Sequence, residues 1–247
     1  MAATSEVPAS WKKKESGPGR PKSGYWLADG RTKVSSVTTI VNRFDDKSAI
    51  IGWAGKTGYE QGQNGEEYNL YGSRDEGGDI GRYVHDLIQA DLDENEPPEP
   101  PKGMKADLVD QAQQGFTSFI EWRDSTKLVI ESSEIPLVSE HHRFGGTPDG
   151  TARSARGLAL ADWKSSKAVY LSSYILQLVG YEILWNENHP DDPITAGFHL
   201  VRFGKSGTQF THSFVGMDNP VLVVARMQFL SLVDAFARDK ILDRLKA

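Results

Sequence analysis

The sequence contains no cysteine among its 247 residues. This absence excludes disulfide bonds, thiol nucleophiles, cysteine-ligated zinc and any cysteine-bound iron–sulfur cluster. Any metal ion that the protein holds must therefore be bound by oxygen atoms and imidazole nitrogen atoms.

The chain also lacks a long apolar run and an excess of basic residues. No stretch approaches the roughly 20 apolar residues that a membrane-spanning helix needs, and no apolar segment typical of a secretory signal stands at the N-terminus. We therefore expect a cytoplasmic protein with no membrane partner. The formal net charge of -6 does not indicate nucleic-acid binding, but a site for divalent cations must itself concentrate carboxylates.

The composition favours one folded domain preceded by a tail. Hydrophobic residues make up 38% and charged residues 25% of the chain, which are ordinary values for a globular protein. Residues 1–24 lack apolar periodicity and carry basic residues among Ser, Gly and Pro, so we predict a flexible basic tail followed by a single domain over residues 25–247. In the tail, Gly19-Arg20-Pro21-Lys22 is similar to the core of minor-groove AT-hook peptides, but we favour a solvated tail.

The spacing of apolar residues predicts an α/β protein. Residues 25–40 contain a turn at Asp29-Gly30 followed by a pattern typical of a short strand or of a capped helix start, and the apolar face over residues 80–88 predicts a helix that carries His85. The glycine-rich residues 58–79 predict a loop. Residues 128–168 predict an antiparallel meander of short strands, and residues 195–216 predict a hairpin.

Two charged side chains stand on one predicted strand over residues 158–164. Alternation places Asp162 and Lys164 on one face of this strand and Trp163 on the other. Both faces are otherwise apolar, which is typical of a strand that is covered on both sides. Placing a carboxylate and an ammonium there is costly unless each finds a partner, so the pair indicates a functional site.

A second carboxylate is predicted to face Asp162. A turn over residues 155–157 would form an antiparallel hairpin that brings Asp149 opposite Asp162. Mg²⁺ prefers oxygen ligands of this kind, and a neighbouring ammonium such as Lys164 stabilises the same phosphate anion that the metal does. The three residues therefore predict metal-dependent phosphodiester hydrolysis.

In chain order, Pro148-Asp149, Asp162-Trp163-Lys164 and the Gln-Leu-Val-Gly-Tyr sequence at 177–181 resemble the PD-(D/E)XK nuclease superfamily, in its RecB-like branch. Residues 81–85 resemble the histidine motif of that branch. Residues 36–39, followed by Trp53, resemble the N-terminal segment of mitochondrial genome maintenance exonucleases and their phage relatives. The resemblance covers residues 25–215 and implies a restriction-endonuclease-like fold, with a mixed central sheet flanked by helices.

The resemblance also implies a role for each motif residue. His85, Asp149, Asp162 and the main-chain carbonyl of Trp163 would bind Mg²⁺ or Mn²⁺, and Lys164 would orient or activate the attacking water. The residues expected to bind substrate or hold the geometry of the site are Ser165, Ser166, Gln177 and Tyr181. The implied substrate is DNA with a free or single-stranded end, hydrolysed without an iron–sulfur cluster. The implied setting is replication, recombination or repair, including that of a phage in the host cytoplasm.

Other interpretations of these residues stay open at this point. An Asp-x-Lys triplet also arises by chance, as in Asp45-Asp46-Lys47, which follows no strand and indicates a solvated loop. Asp162 and Lys164 would then be a structural ion pair. A restriction-type or structure-specific endonuclease would share every catalytic residue, and a non-catalytic DNA-binding recombination subunit would keep the site as a relic.

Two further assignments are not decided by the sequence or are disfavoured by it. The acidic residue that often precedes the first motif Asp has three candidates, Glu131, Glu134 and Glu140. His141 and His142 could suggest zinc, but neighbouring residues on a strand point to opposite faces, so we interpret them as loop histidines.

Overall fold

A computed structural model describes residues 15–16, 19–65, 70–165, 171–204 and 210–246. In chain order the elements are β1 (Glu15–Ser16), β2 (Tyr25–Trp26), β3 (Lys33–Ser36), α1 (Val37–Phe44), α2 (Ser48–Gln63), α3 (Leu70–Leu92), α4 (Ala106–Thr126), β4 (Val129–Ser133), β5 (Leu137–Ser139), β6 (Phe144–Gly146), β7 (Gly150–Ser154), β8 (Gly157–Lys164), α5 (Leu171–Asn188), β9 (Gly197–Phe203), β10 (Phe210–Gly216) and α6 (Val221–Asp243).

The strands form a large mixed sheet and a smaller one. The large sheet has the order β1-β4-β7-β8-β9-β10, with parallel pairing between β1 and β4 and between β8 and β9, and antiparallel pairing elsewhere. The smaller sheet has the order β2-β3-β6-β5. The predicted α/β class, with a mixed central sheet flanked by helices, is confirmed.

Strand β8 lies inside the large sheet and is covered on both faces. Leu158 and Leu160 belong to a core cluster that includes side chains of α1, α5 and α6, whereas Ala161 and Trp163 belong to a second cluster with side chains of α3 and α4. The predicted alternation of this strand is therefore confirmed. Asp162 lies among these buried side chains with only 1% of its surface exposed.

Residues 36–39 join a strand to a helix. Ser36 ends β3, and its hydroxyl accepts a 3.1 Å hydrogen bond from the main-chain nitrogen of Thr39 at the start of α1. Such a cap satisfies one of the amide groups that the first turn of a helix leaves without a partner. Both structures that the sequence predicted for this segment are present, one after the other.

The prediction of a loop over the glycine-rich residues 58–79 is wrong. Helix α2 continues to Gln63, and α3 begins at Leu70. Glycine lowers helix stability by only about 1 kcal/mol per residue relative to alanine. Helix α3 recovers this cost by burying its apolar residues 80–88 against α4 and the large sheet. The predicted helix over residues 80–88 is confirmed.

Several predictions concern residues for which the structure gives no description. Residues 1–14 and 17–18 of the predicted tail, Ser166, and the tip of the predicted 195–216 hairpin at 205–209 lie outside the described residues. The two strands of that hairpin, β9 and β10, pair antiparallel as predicted. In the described part of the chain, none of the helices combines the length and the apolar character that crossing a membrane requires.

Candidate active site

The hairpin of β7 and β8 brings Asp149 beside Asp162. A two-residue turn links the paired residues Ser154 and Gly157, and the last pair at the other end of the ladder is Gly150 with Ala161. Gly157 has a φ of +113°, a conformation that strongly favours glycine at this turn. The predicted turn and hairpin are therefore present. Asp149, just before Gly150, and Asp162, just after Ala161, both lie at the end of the ladder that is opposite the turn. The main-chain nitrogen of Trp163 donates a 2.8 Å hydrogen bond to Oδ2 of Asp149.

Asp162 bonds to other described residues through only one of its carboxylate oxygens. Its Oδ1 accepts a 2.7 Å hydrogen bond from Nζ of Lys164 and a weak one of 3.5 Å from the Gln177 amide. Its Oδ2 is buried and has no hydrogen-bond partner in the part of the chain that the structure describes. A buried oxygen without a partner costs about 1 to 3 kcal/mol, and more when it is charged. Such an atom indicates that a ligand completes the site.

His85, Glu134 and Asp149 form a second cluster beside this carboxylate. One nitrogen or oxygen atom from each residue lies within 4.8 Å of the others, and no other group of three or more such residues occurs in the described parts of the chain. Nδ1 of His85 lies 3.3 Å from Oε1 of Glu134 and 3.8 Å from Oδ1 of Asp149. Its Nε2 lies 3.2 Å from the main-chain oxygen of Trp163. The arrangement offers the imidazole, carboxylate and carbonyl groups that divalent cations bind.

The charges in this site act strongly on one another. Burial would lower the pKa of His85, but the negative charges of Asp149 and Glu134 outweigh it and raise the pKa to about 9. Burial raises the pKa of Asp162 to about 6, although the ammonium of Lys164 opposes this. Burial also lowers the pKa of Lys164, but Asp162 and Asp149 reverse the direction and raise it. The negative charges of these carboxylates thus stabilise the positively charged forms of His85 and Lys164.

The structure separates the three glutamates that the sequence left equivalent. Glu131 pairs with Arg153 at 2.7 Å, and Glu140 accepts a hydrogen bond from the main-chain nitrogen of Ala28. Glu134 follows β4 in a left-handed conformation with a φ of +52°, and its main-chain nitrogen donates to the carbonyl of Asp149. Only Glu134 reaches the cluster. All three glutamates lie in the meander predicted over residues 128–168, so no signal in the sequence distinguished Glu134 from the other two.

The remaining predicted site residues that the structure describes, Ser165, Gln177 and Tyr181, lie close to this centre. The Gln177 amide donates a 3.1 Å hydrogen bond to the hydroxyl of Tyr181, which is only 4% exposed. Burial and the charges of Asp149 and Asp162 raise the pKa of Tyr181 well above its ordinary value. These contacts suit residues that hold Asp162 in place. Ser165 lies against α3, where a Cβ atom on Gly81 would come within 3.0 Å of its hydroxyl.

A cleft of about 850 Å³ opens onto the cluster. His85, Glu134 and Ser165 lie along it, together with residues 77, 78, 81 and 82 of α3 and residues 19–20. His141 and His142 occupy a turn between β5 and β6 and line a different cavity, so the interpretation as loop histidines agrees with their position.

The residues present suit a divalent metal ion. The imidazole and carboxylate atoms converge, Oδ2 of Asp162 has no partner within residues 19–65, 70–165, 171–204 and 210–246, and a main-chain carbonyl lies beside them. Hard cations such as Mg²⁺ and Mn²⁺ take ligand sets of this kind.

The sequence matches no protein-family model and no curated protein at a significant level. Among solved structures, the chain is similar to a proposed exonuclease from Eubacterium rectale, with 15% identity, a TM-score of 0.47 and coverage of 89% of this chain and 88% of that one. It is also similar to an alkaline exonuclease from Laribacter hongkongensis, with 13% identity, a TM-score of 0.35 and coverage of 67% and 84%. The same enzyme in complex with dAMP gives 14% identity, a TM-score of 0.39 and the same coverage. Because these values are low, the function proposed below depends on the site and on the sequence motifs.

Proposed function

We propose that this chain is a metal-dependent DNA exonuclease that hydrolyses phosphodiester bonds. The observation that carries the proposal is the buried Oδ2 of Asp162, which has no hydrogen-bond partner among the described residues and lies beside the cluster of His85, Glu134 and Asp149. A structural ion pair between Asp162 and Lys164 would account for neither the free oxygen nor the converging imidazole.

Asp149, Asp162, His85, the carbonyl of Trp163 and Glu134 would hold Mg²⁺ or Mn²⁺. Bound there, such an ion supplies Lewis-acid chemistry, which lowers the pKa of water and offsets charge on the phosphate. Glu134 is an addition to the ligand set that the sequence motifs implied.

The other residues of the site position groups for this reaction. Lys164 is fixed by its hydrogen bond to Asp162 and offers its remaining N–H groups to the attacking water or to a phosphate oxygen. Gln177 and Tyr181 hold the Asp162 carboxylate through the amide of Gln177. Ser165 lies on the cleft, where its hydroxyl can donate to the substrate strand. The preference for DNA with a free end follows from the resemblance of the motifs.

End-labelled linear DNA and circular single-stranded DNA, each incubated with Mg²⁺ or Mn²⁺ and with EDTA as the control, test the proposal. We expect the linear DNA to be degraded and the circular DNA to persist. Cutting of the circle would instead favour the endonuclease. Intact DNA of every form with both metals and a folded protein would overturn the proposal.

The chain supplies a matched pair of variants for this assay. Lys164→Ala should lower the rate about 100-fold or more, because it removes a donor from the reacting phosphate. Lys47→Ala makes the same change in the exposed Asp45-Asp46-Lys47 triplet and should leave the rate unchanged. Asp162→Asn keeps the shape of the side chain and provides a second inactive variant if Lys164→Ala fails to fold. Circular dichroism checks the fold of each.

A further inference from the structure

The chain segment before β2 reaches the candidate metal site. Strand β1 pairs parallel with the end of β4, with Glu15 opposite Ser132 and Ser16 opposite Ser133. The main-chain nitrogen of Gly19 then donates a 3.0 Å hydrogen bond to the carbonyl oxygen of Glu134. Gly19 has a φ of +72°, which favours glycine at this point. The segment is thus attached to the backbone of a residue of the metal cluster.

This attachment places Arg20 on the wall of the cleft that opens onto His85 and Glu134. Gly77, Gly78 and Gly81 of α3 also line the cleft. A Cβ atom on Gly77 would meet no described atom within 4 Å, so the surface of α3 is open at this residue, whereas Ser165 lies against Gly81. A nucleic-acid backbone could approach α3 closely there.

The cleft is lined by more acidic residues than arginines, so Arg20 is important for the binding of a polyanion such as DNA. The lining contains the acidic residues Asp86, Asp93 and Glu134. Arg82, the other arginine of the lining, is paired with Asp79. Arg20 is exposed and forms no ion pair with another described residue. A phosphate that enters this acidic cleft needs such a cation, since guanidinium binds phosphate through paired hydrogen bonds.

We propose that Arg20 binds a phosphate of the substrate strand next to the one that is hydrolysed, so that the segment containing residues 19–20 forms one wall of the substrate site. This inference rests on the proposed nuclease function. It gives a substrate-binding role to Arg20 alone within the Gly19-Arg20-Pro21-Lys22 sequence, in place of the solvated tail that we favoured.

A binding assay in EDTA separates this contact from hydrolysis. Fluorescence anisotropy of a labelled single-stranded oligonucleotide, across a series of KCl concentrations, should show about tenfold weaker binding for Arg20→Ala, as for loss of one charge-assisted hydrogen bond. The slope of log K against log[KCl] should fall in magnitude by about 0.7, the value for one phosphate contact on a single strand. Lys22→Ala, two residues away and outside the cleft lining, should change neither quantity. Equal behaviour of the two variants would overturn the proposal.

Cleavage assays give the second measurement. Arg20→Ala should raise KM for DNA about tenfold and change kcat by less than about twofold, because the contact is equal in the ground state and the transition state. With the p-nitrophenyl ester of thymidine 5′-monophosphate, which has a single phosphodiester, Arg20→Ala and the wild-type protein should be equal. A kcat defect on this small substrate would contradict the proposed role.

Substrates with one uncharged methylphosphonate linkage locate the phosphate. The loss of affinity caused by Arg20→Ala should disappear when one particular linkage is uncharged and should remain for every other position. In a double-mutant cycle, this result shows that Arg20 contacts the phosphate at that position directly. An effect that persists at every position would exclude such a contact. If the wild-type protein cleaves no DNA, the nuclease function fails, while the salt series still decides whether Arg20 binds phosphate.

Discussion

The carboxylate of Asp149 is bound to the backbone of the neighbouring strand through the main-chain nitrogen of Trp163, at 2.8 Å. This bond occupies Oδ2 and leaves Oδ1 directed toward His85, at 3.8 Å from Nδ1. The orientation of the carboxylate is therefore set by the β7–β8 hairpin before any ion binds. Preorganised ligands of this kind lose little freedom when a metal arrives.

Asp149→Asn should separate the structural role of this residue from its charge. The amide oxygen of asparagine can still accept the Trp163 hydrogen bond, so we expect the melting temperature to change by only a few degrees. The affinity for Mn²⁺ should fall about 100-fold or more. Loss of a group that only supports a metal ligand already lowers metal affinity about 10- to 100-fold, and Asp149 is proposed to bind the metal directly. Isothermal titration with Mn²⁺ measures this effect. Unchanged Mn²⁺ affinity would remove Asp149 from the metal site.

The three candidate glutamates form a matched series. Glu134→Gln should reduce Mn²⁺ affinity about 10- to 100-fold and DNA hydrolysis with it, because only this side chain reaches the cluster. Glu131→Gln weakens an ion pair with Arg153 and should affect only stability, while Glu140→Gln changes an exposed contact. Titration of all three variants with Mn²⁺ gives the comparison. If Glu131→Gln or Glu140→Gln lost metal affinity and Glu134→Gln did not, the assignment would be reversed.

Two histidines away from the site should make stability depend on pH. Nδ1 of His199 lies 2.8 Å from Nε2 of His212 across β9 and β10. Burial, and then the charge of His212, lower the pKa of His199 from 6.5 to about 4. Because the folded-state pKa lies below the unfolded one, this contribution to stability is complete above pH 6.5 and is lost as the pH falls toward 4. It amounts to about 2 kcal/mol between pH 7 and pH 5.

Urea unfolding at pH 7 and pH 5 measures this contribution. The loss of unfolding free energy on acidification should be about 2 kcal/mol smaller in His199→Gln than in the wild-type protein. His141→Gln, in an exposed turn, is the control and should keep the wild-type dependence. Identical pH profiles for His199→Gln and the wild-type protein would show that the pair does not titrate in this range.

Glycines in two helices should respond in opposite ways to the same substitution. A Cβ atom on Gly180 of α5 would lie 2.7 Å from Phe229 and 2.8 Å from Val37, whereas one on Gly52 of α2 would meet nothing within 4 Å. Gly180→Ala should therefore destabilise the protein by about 1 to 3 kcal/mol through overpacking. Gly52→Ala should stabilise it by up to about 1 kcal/mol, because alanine favours helix. Chemical denaturation of both variants tests the pair, and a stabilised Gly180→Ala would contradict this packing of α1, α5 and α6.

The pairing of Asp149 with Asp162 was predictable from the sequence because its causes are local. Alternation along residues 158–164 assigns each side chain to a face, and a short turn at 155–157 sets the register of the hairpin. The helix that carries His85 was equally local, since its apolar residues repeat with helical spacing. The predicted loop over the glycine-rich residues 58–79 was wrong because burial of α3 outweighed the low helix propensity of glycine.

Local patterns of residues were enough to predict that Asp149, Asp162 and Lys164 share one hairpin, and the composition excludes a thiol from the chemistry. The selection of Glu134 from three glutamates and the attachment of residues 19–20 to the same site became visible only in the folded chain. Both choices depend on contacts between segments distant along the chain. Such contacts form only when the sheet and the helices pack together, and no local pattern of residues specifies them.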